Sequence, residues 1–197
     1  NILYYFITMF RYTQIVDSLN IARNLSFRKL YNLVQLKFSY HLSKRKKDNF
    51  HRGNPYALSI EPTTACNLGC PECPSGLKKF TREKGKLDLK AHQSLLEQVK
   101  DSVFYINYYF QGEPFLHPNF LDLIRTAKKH KIYTATSTNA HFINGERAQQ
   151  IVASGLDRLI ISIDGLTQET YESYRVYGQL DKVLEGTRHL LEAKKMM

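Results

Sequence analysis

All three cysteines of this chain, Cys66, Cys70 and Cys73, fall within eight residues, in the stretch LSIEPTTACNLGCPECPSGLKKF that runs from Leu58 to Phe80. The residues just before them, Ala57 to Ile60, form a short and largely apolar extended run. Pro62, Pro71, Pro74, Gly69 and Gly76 keep the following segment out of helix, so the pattern predicts a strand that delivers a cysteine loop. Three thiols cannot pair off among themselves, and their clustering points to a metal centre rather than a secreted disulfide framework. A reducing, cytoplasmic location is the corresponding expectation.

Two ligand chemistries suit such a loop. Three thiolates hold three corners of an iron–sulfur cube and leave the fourth iron open to another ligand. Alternatively, His51, His92 or His117 completes a Cys3His zinc site. The order C-x3-C-x2-C directly after a strand resembles the radical S-adenosylmethionine (radical SAM) superfamily. That resemblance implies a [4Fe-4S] cluster on Cys66, Cys70 and Cys73, with the open iron chelating the amino and carboxylate groups of S-adenosylmethionine (SAM).

With 197 residues, 43% of them hydrophobic, the chain can bury one sizeable core. Its charge is uneven: residues 1–55 carry ten Lys or Arg against Asp17 and Asp48, which is +8 of the total +10. This favours weak contact with an anionic membrane surface or an acidic partner. The run Lys44 to Lys47 has no interleaved aromatics, so no specific nucleic-acid partner is expected. Ile2 to Phe10 is apolar but too short to span a bilayer as a helix. The chain begins at Asn1, which makes Met9 a candidate initiator. From about Tyr12 to Leu42 the pattern is helical, with Ser26 as N-cap and Phe27, Leu30, Tyr31, Val34 and Phe38 on one stripe expected to pack on the rest of the protein, with docking on a membrane surface as the alternative. The division is therefore a basic helical extension and linker over 1–54 and a core over 55–197.

In the core, Asp88 caps a helix carrying Leu95, Leu96 and Val99, and Val103 to Phe110 reads as a strand. Pro118 opens a helix with Phe120, Leu121, Ile124 and Ala127 inward, followed by a strand over Ile132 to Ser137. Asn144 and Gly155 bound the next helix, and Arg158 to Ile163 is the fourth strand. A final helix has Leu180, Val183, Leu184, Thr187, Leu190 and Leu191 on one stripe. Strands separated by helices mean β/α units and a parallel sheet, with function at the C-terminal strand ends. The fold class is α/β; the resemblance to radical SAM proteins, which typically build a partial (β/α) TIM-type barrel of six units, implies such a barrel here, and the count of about four units makes it incomplete at the C-terminus as an expectation.

The short motifs fall on those strand ends. Gln111-Gly112-Glu113-Pro114 is similar to the family's GGEP motif, which implies that Gly112, Glu113 and Pro114 meet the amino group of SAM. Gln111 stands where the family usually has Gly. Ser162 and Asp164 resemble an SxD pattern and imply contacts to the SAM ribose or carboxylate. Arg175 resembles an arginine that meets the carboxylate, with a surface ion pair to Glu172 as the alternative. Thr138 and Asn139 sit where the family places polar residues, which implies a position near cofactor or substrate, with a capped loop as the alternative. Glu72 replaces an aromatic that in many members packs on the adenine. Tyr105, Tyr108 and Tyr109 read as core.

The run SIEPTTACNLGCPECPSGL resembles the peptide- and protein-modifying subgroup that carries a C-terminal SPASM extension with further cysteines, and the chain has none. The resemblance implies reductive cleavage of SAM to a 5′-deoxyadenosyl radical that takes hydrogen from a peptide or protein side chain. An electron donor such as flavodoxin or ferredoxin is implied with it. Alternatives are the same chemistry on a small molecule, or a non-enzymatic zinc-binding module.

Overall fold

The computed structural model describes residues 14–197; Met9 and the apolar run from Ile2 to Phe10 lie outside them. Residues 14–23 are helical (α1), and α2 spans Phe27–Lys46. Then follow β1 (Ala57–Ser59), α3 (Leu89–Val99), β2 (Tyr105–Asn107), a 3-10 turn (Pro114–Leu116), α4 (Phe120–Lys129) and β3 (Tyr133–Thr138). The chain continues with α5 (Gly145–Ala153), β4 (Arg158–Ile161), α6 (Gln168–Tyr174) and α7 (Leu180–Met196).

The four strands form one parallel sheet in the order β1-β2-β3-β4, each strand beside its predecessor in sequence. Such neighbours need a crossover on one face, and α3, α4 and α5 supply it. Leu96, Ile106, Leu123, Ile124, Ile132, Ala148, Ile151 and Val183 join in a single core between the sheet and these helices. Local signals set the helix ends. Asp88 Oδ1 accepts from the backbone N–H of Lys90 and Ala91, Asn144 Oδ1 from that of Arg147, and Gly155 turns the chain at φ 78°. The strands are shorter than the sequence suggests: β2 stops at Asn107 and β4 at Ile161. On α7, Leu180 and Val183 are buried with Gly186 and Ala193, while Leu184 and Leu191 face solvent. The helix α6 has no counterpart among the elements expected from the sequence; Thr167 and Thr170 cap it reciprocally through their hydroxyls.

The largest correction concerns α2. Ser26 caps it as expected, yet the apolar stripe faces solvent: Phe27 is 84%, Val34 57% and Phe38 60% exposed. The opposite, polar face packs inward. Lys29, only 2% exposed, donates from Nζ to the backbone carbonyl of His130 at 2.9 Å and to that of Lys131. Asn32 exchanges two hydrogen bonds with the backbone of Asn54, and Ser39 and Ser43 donate to the carbonyls of Arg52 and Phe50. Asp17 of α1 accepts from the Tyr133 hydroxyl at 2.6 Å and pairs with Arg158. All these partners precede strands or stand at their first residues, so α1 and α2 cover the N-terminal rim of the sheet. The segment from Lys47 to Asn54 is folded back along α2 rather than free.

Candidate cofactor site

The opposite rim carries a cavity of about 150 Å³. Its lining includes Cys66, Cys70 and Cys73 after β1, Gln111, Gly112 and Glu113 after β2, Ser137, Thr138 and Asn139 at the end of β3, Ser162 after β4, and Arg175 after α6. Of the site residues expected from the sequence, all but Pro114 and Asp164 thus meet on one surface. Pro114 lies just below it, buried in the 3-10 turn. Asp164 stands outside the lining on the solvent side and holds the Arg175 guanidinium through Nε. The arginine therefore pairs with Asp164, whereas Glu172 takes Gln168.

The cysteine loop is wrapped by backbone contacts that leave little room. A Cβ on Gly76 would sit 2.5 Å from both the N and the O of Cys70, and the N–H of Cys73 returns to the Cys70 carbonyl. All three thiols are free, and burial pushes the Cys66 thiol above its ordinary range against a backbone hydrogen bond at Leu68. Arg175 Nη1 lies 3.8 Å from Cys70 Sγ.

Glu113 forms the polar wall. It is 2% exposed, and its carboxylate accepts from Thr138 Oγ1 at 2.7 Å, from the N–H of Asn139 at 2.8 Å and from that of Phe115 at 3.2 Å. Burial still pushes its pKa up, opposed by those three donors and by Arg175. Gly112 makes the turn possible at φ 76°; a Cβ there would meet the Thr63 carbonyl at 2.1 Å. Thr138 and Asn139 act through Glu113, and the Asn139 amide also donates to Asn67 on the cysteine loop at 2.8 Å. Gln111 points toward the same loop, where its Oε1 accepts from Ser75 Oγ at 3.0 Å, and Ser75 Oγ in turn accepts from the Gly112 N–H at 2.9 Å.

Several lining residues carry no signal in the sequence. Tyr109, expected in the core, lines the cavity together with Phe110 because β2 ends two residues before it. Ser137 lines it too and shares a hydrogen bond of 3.1 Å with Ser162. Tyr171 on α6 is fully buried with an unpartnered hydroxyl, and burial pushes its pKa up to about 12.

The donor set separates the two ligand chemistries. His92 is buried in the core with Nε2 2.8 Å from the Tyr108 hydroxyl, His117 Nε2 lies 2.8 Å from the Leu87 carbonyl, and His51 is exposed. None of them lines the cavity. Among the described residues no three His, Cys, Asp or Glu side chains close around a single ion. A four-iron cube makes a different demand, since each thiolate meets its own iron and the cube sets the spacing. Three free thiols around one cavity, with no histidine beside them, fit the cluster.

Residues 60–196 match the Radical SAM superfamily. The chain belongs to this superfamily. Its members use a [4Fe-4S] cluster and SAM, and the site above supplies the thiols for the first and a polar cleft for the second. Among relatives, mycofactocin maturase MftC of Mycobacterium ulcerans is 34% identical over 140 residues, 71% of this chain and 37% of that protein. The AdoMet-dependent heme synthase of Methanosarcina barkeri is 26% identical over 140 residues, 71% of this chain and 40% of that protein. Among solved structures, Streptococcus suis SuiB bound to the precursor peptide SuiA superposes with a TM-score of 0.61 at 22% identity, covering 78% of this chain and 34% of SuiB. This radical SAM chain therefore spans well under half the length of these three proteins. Among the described residues, no helix is long and apolar enough to cross a membrane.

Proposed function

We propose that the protein is a radical SAM enzyme that modifies a peptide or protein side chain in the cytoplasm. The observation that carries this reading is the meeting of Cys66, Cys70 and Cys73 with Glu113 on one cavity at the C-terminal rim. A [4Fe-4S] cluster held by Cys66, Cys70 and Cys73, supplied with one electron by a flavodoxin or ferredoxin type donor, would provide reductive cleavage of SAM and, through it, hydrogen abstraction from the substrate. The protein's part is positioning and exclusion of water.

Cys66, Cys70 and Cys73 would hold three irons of the cluster. Gly112 would let the backbone approach SAM, and Glu113 would accept from its amino group; a carboxylate already fixed by three donors can take a further one without rearranging. Arg175, oriented by Asp164, would offer its remaining N–H groups to the SAM carboxylate, and the paired hydroxyls of Ser137 and Ser162 face the same space. Pro114 locks the turn beneath Glu113. Asp164 serves through Arg175.

A peptide substrate is supported by the identity to the mycofactocin maturase, the highest among the relatives described above. A small-molecule substrate is the second reading, favoured by the similarity to the heme synthase. Anaerobic reconstitution tests the cofactor assignment: about four irons per chain and broad absorption near 400 nm are expected, with Cys70→Ala losing both. Stoichiometric zinc in a colourless protein would overturn it.

A further inference from the structure

Helix α2 turns its apolar stripe away from the protein, and the reason lies on its other face. Lys29, Asn32, Ser39 and Ser43 bond to backbone carbonyls on the N-terminal rim and along the returning segment, which fixes the rotation of the helix. Phe27, Leu30, Tyr31, Val34 and Phe38 then form a continuous exposed seam over about three turns. By the helical period, exposed Lys37 and Lys44 flank this seam on one side and, on the other, Lys46 and Arg28, the latter paired with the exposed Asp101.

We propose that this seam seats the protein on an anionic membrane surface, with α2 lying in the plane of the headgroups. Aromatic and branched side chains along a line, with cations at both margins, match an interface whose depth is apolar and whose rim is negative. Long Lys and Arg side chains at the margins reach the headgroups while the seam enters. The charge agrees, since residues 1–55 carry ten Lys or Arg against two Asp. The same charge disfavours a second copy, because pairing two seams would bring two such extensions together. Nucleic acid is disfavoured because cations and aromatics are segregated rather than interleaved. Since α2 covers the N-terminal rim, docking leaves the cofactor cavity at the opposite rim open to solvent. The inference is independent of the enzymatic reading, and cluster content reports separately on the latter.

The chain contains no tryptophan, so single-tryptophan variants give a clean probe. In the reconstituted protein, Phe38→Trp on the seam should show a blue-shifted emission with phosphatidylglycerol-containing vesicles and none with phosphatidylcholine alone. Leu166→Trp, 96% exposed beyond β4 at the other rim, should not respond. Sedimentation with the anionic vesicles should weaken with added salt and fall at least about tenfold in Phe27→Ser/Phe38→Ser, with iron content unchanged. Absence of binding by the wild type overturns the proposal. So does a dimer in light scattering that the double variant abolishes, which would assign the seam to a second copy. Equal binding by the wild type and the double variant would also overturn it.

Discussion

Thr138 Oγ1 donates to Glu113 Oε1 at 2.7 Å, joining the end of β3 to the turn after β2. The neighbouring N–H of Asn139 takes Oε2 at 2.8 Å. The carboxylate is thus gripped by the adjacent strand, and its direction follows from the register in which β2 pairs with β3. A polar group built this way holds its geometry before any ligand arrives, which is what electrostatic preorganisation requires.

Thr138→Val should therefore weaken SAM binding without touching a cysteine. It removes a hydrogen bond to a buried carboxylate and leaves that oxygen with one donor, at a cost of about 1–3 kcal/mol in denaturant unfolding. The pH dependence has a defined sign. Burial raises the folded pKa of Glu113 above its ordinary 4.5, so its contribution to stability is fully present below 4.5 and is lost as pH rises through the raised value. Glu113→Gln should flatten that part of the stability profile, although it sets an amide against the Asn139 N–H and lowers stability throughout. A variant that keeps the wild-type slope would show that the Glu113 pKa is not raised.

Two glycines are expected to tolerate no side chain. In Gly112→Ala the new carbon would meet the Thr63 carbonyl at 2.1 Å in a left-handed conformation, and in Gly76→Ala it would meet Cys70 N and O at 2.5 Å. Both contacts are with backbone, so relief requires the cysteine loop to move. Iron incorporation should fall several-fold in each. Gly85→Ala is the control, since no neighbouring atom lies within 4 Å of the place its Cβ would take; it should reconstitute like the wild type.

What the sequence discloses about this fold and site follows from how local each signal is. The cysteine loop and the caps Ser26, Asp88 and Asn144 are decided within a few residues, and they stand where expected. Tyr109 is different, because alternation alone does not show where β2 stops: the run from Val103 to Phe110 is almost uniformly apolar and aromatic. The rotation of α2 is illegible for another reason. Periodicity identifies its apolar stripe, but which face meets the core is decided by carbonyls at His130 and Lys131, about a hundred residues away, that Lys29 satisfies. Asp164 shares the difficulty, since alternation puts it beside Ser162, whereas the strand ends at Ile161 and the side chain turns out to Arg175.

Acid should loosen the core through His92. The ring is fully buried against Tyr108, and burial, with smaller contributions from His130 and His117, lowers its pKa from 6.5 to about 4. A base with a depressed folded pKa contributes stability present above 6.5 that is lost as pH falls through 4. Above 4.5, where the raised Glu113 pKa makes its contribution fall with rising pH, the two slopes oppose each other, so they are separated by differences between variant and wild type. His92→Gln should be less stable at neutral pH yet lose less on acidification. A His92 ring that titrates near 6.5 by NMR would contradict the assignment.

Adjacent cations on α2 should behave in opposite ways. Arg28 pairs with Asp101 at 2.9 Å, but both side chains are more than half exposed, and such pairs are worth about 0–1 kcal/mol. Lys29, one residue on, is buried and supplies donors to two carbonyls at the turn between α4 and β3. Replacing it with Met keeps the stem and the packing but leaves those carbonyls without a partner, and a buried group left unsatisfied costs about 1–3 kcal/mol. Lys29→Met should therefore lower the unfolding free energy by about 2–3 kcal/mol and speed amide exchange at Tyr133, whose N–H lies beside the freed turn. Arg28→Ala should change neither. If the two variants proved equally mild, α1 and α2 would be an appendage that the sheet does not need; unequal costs would make them the cover of its N-terminal rim.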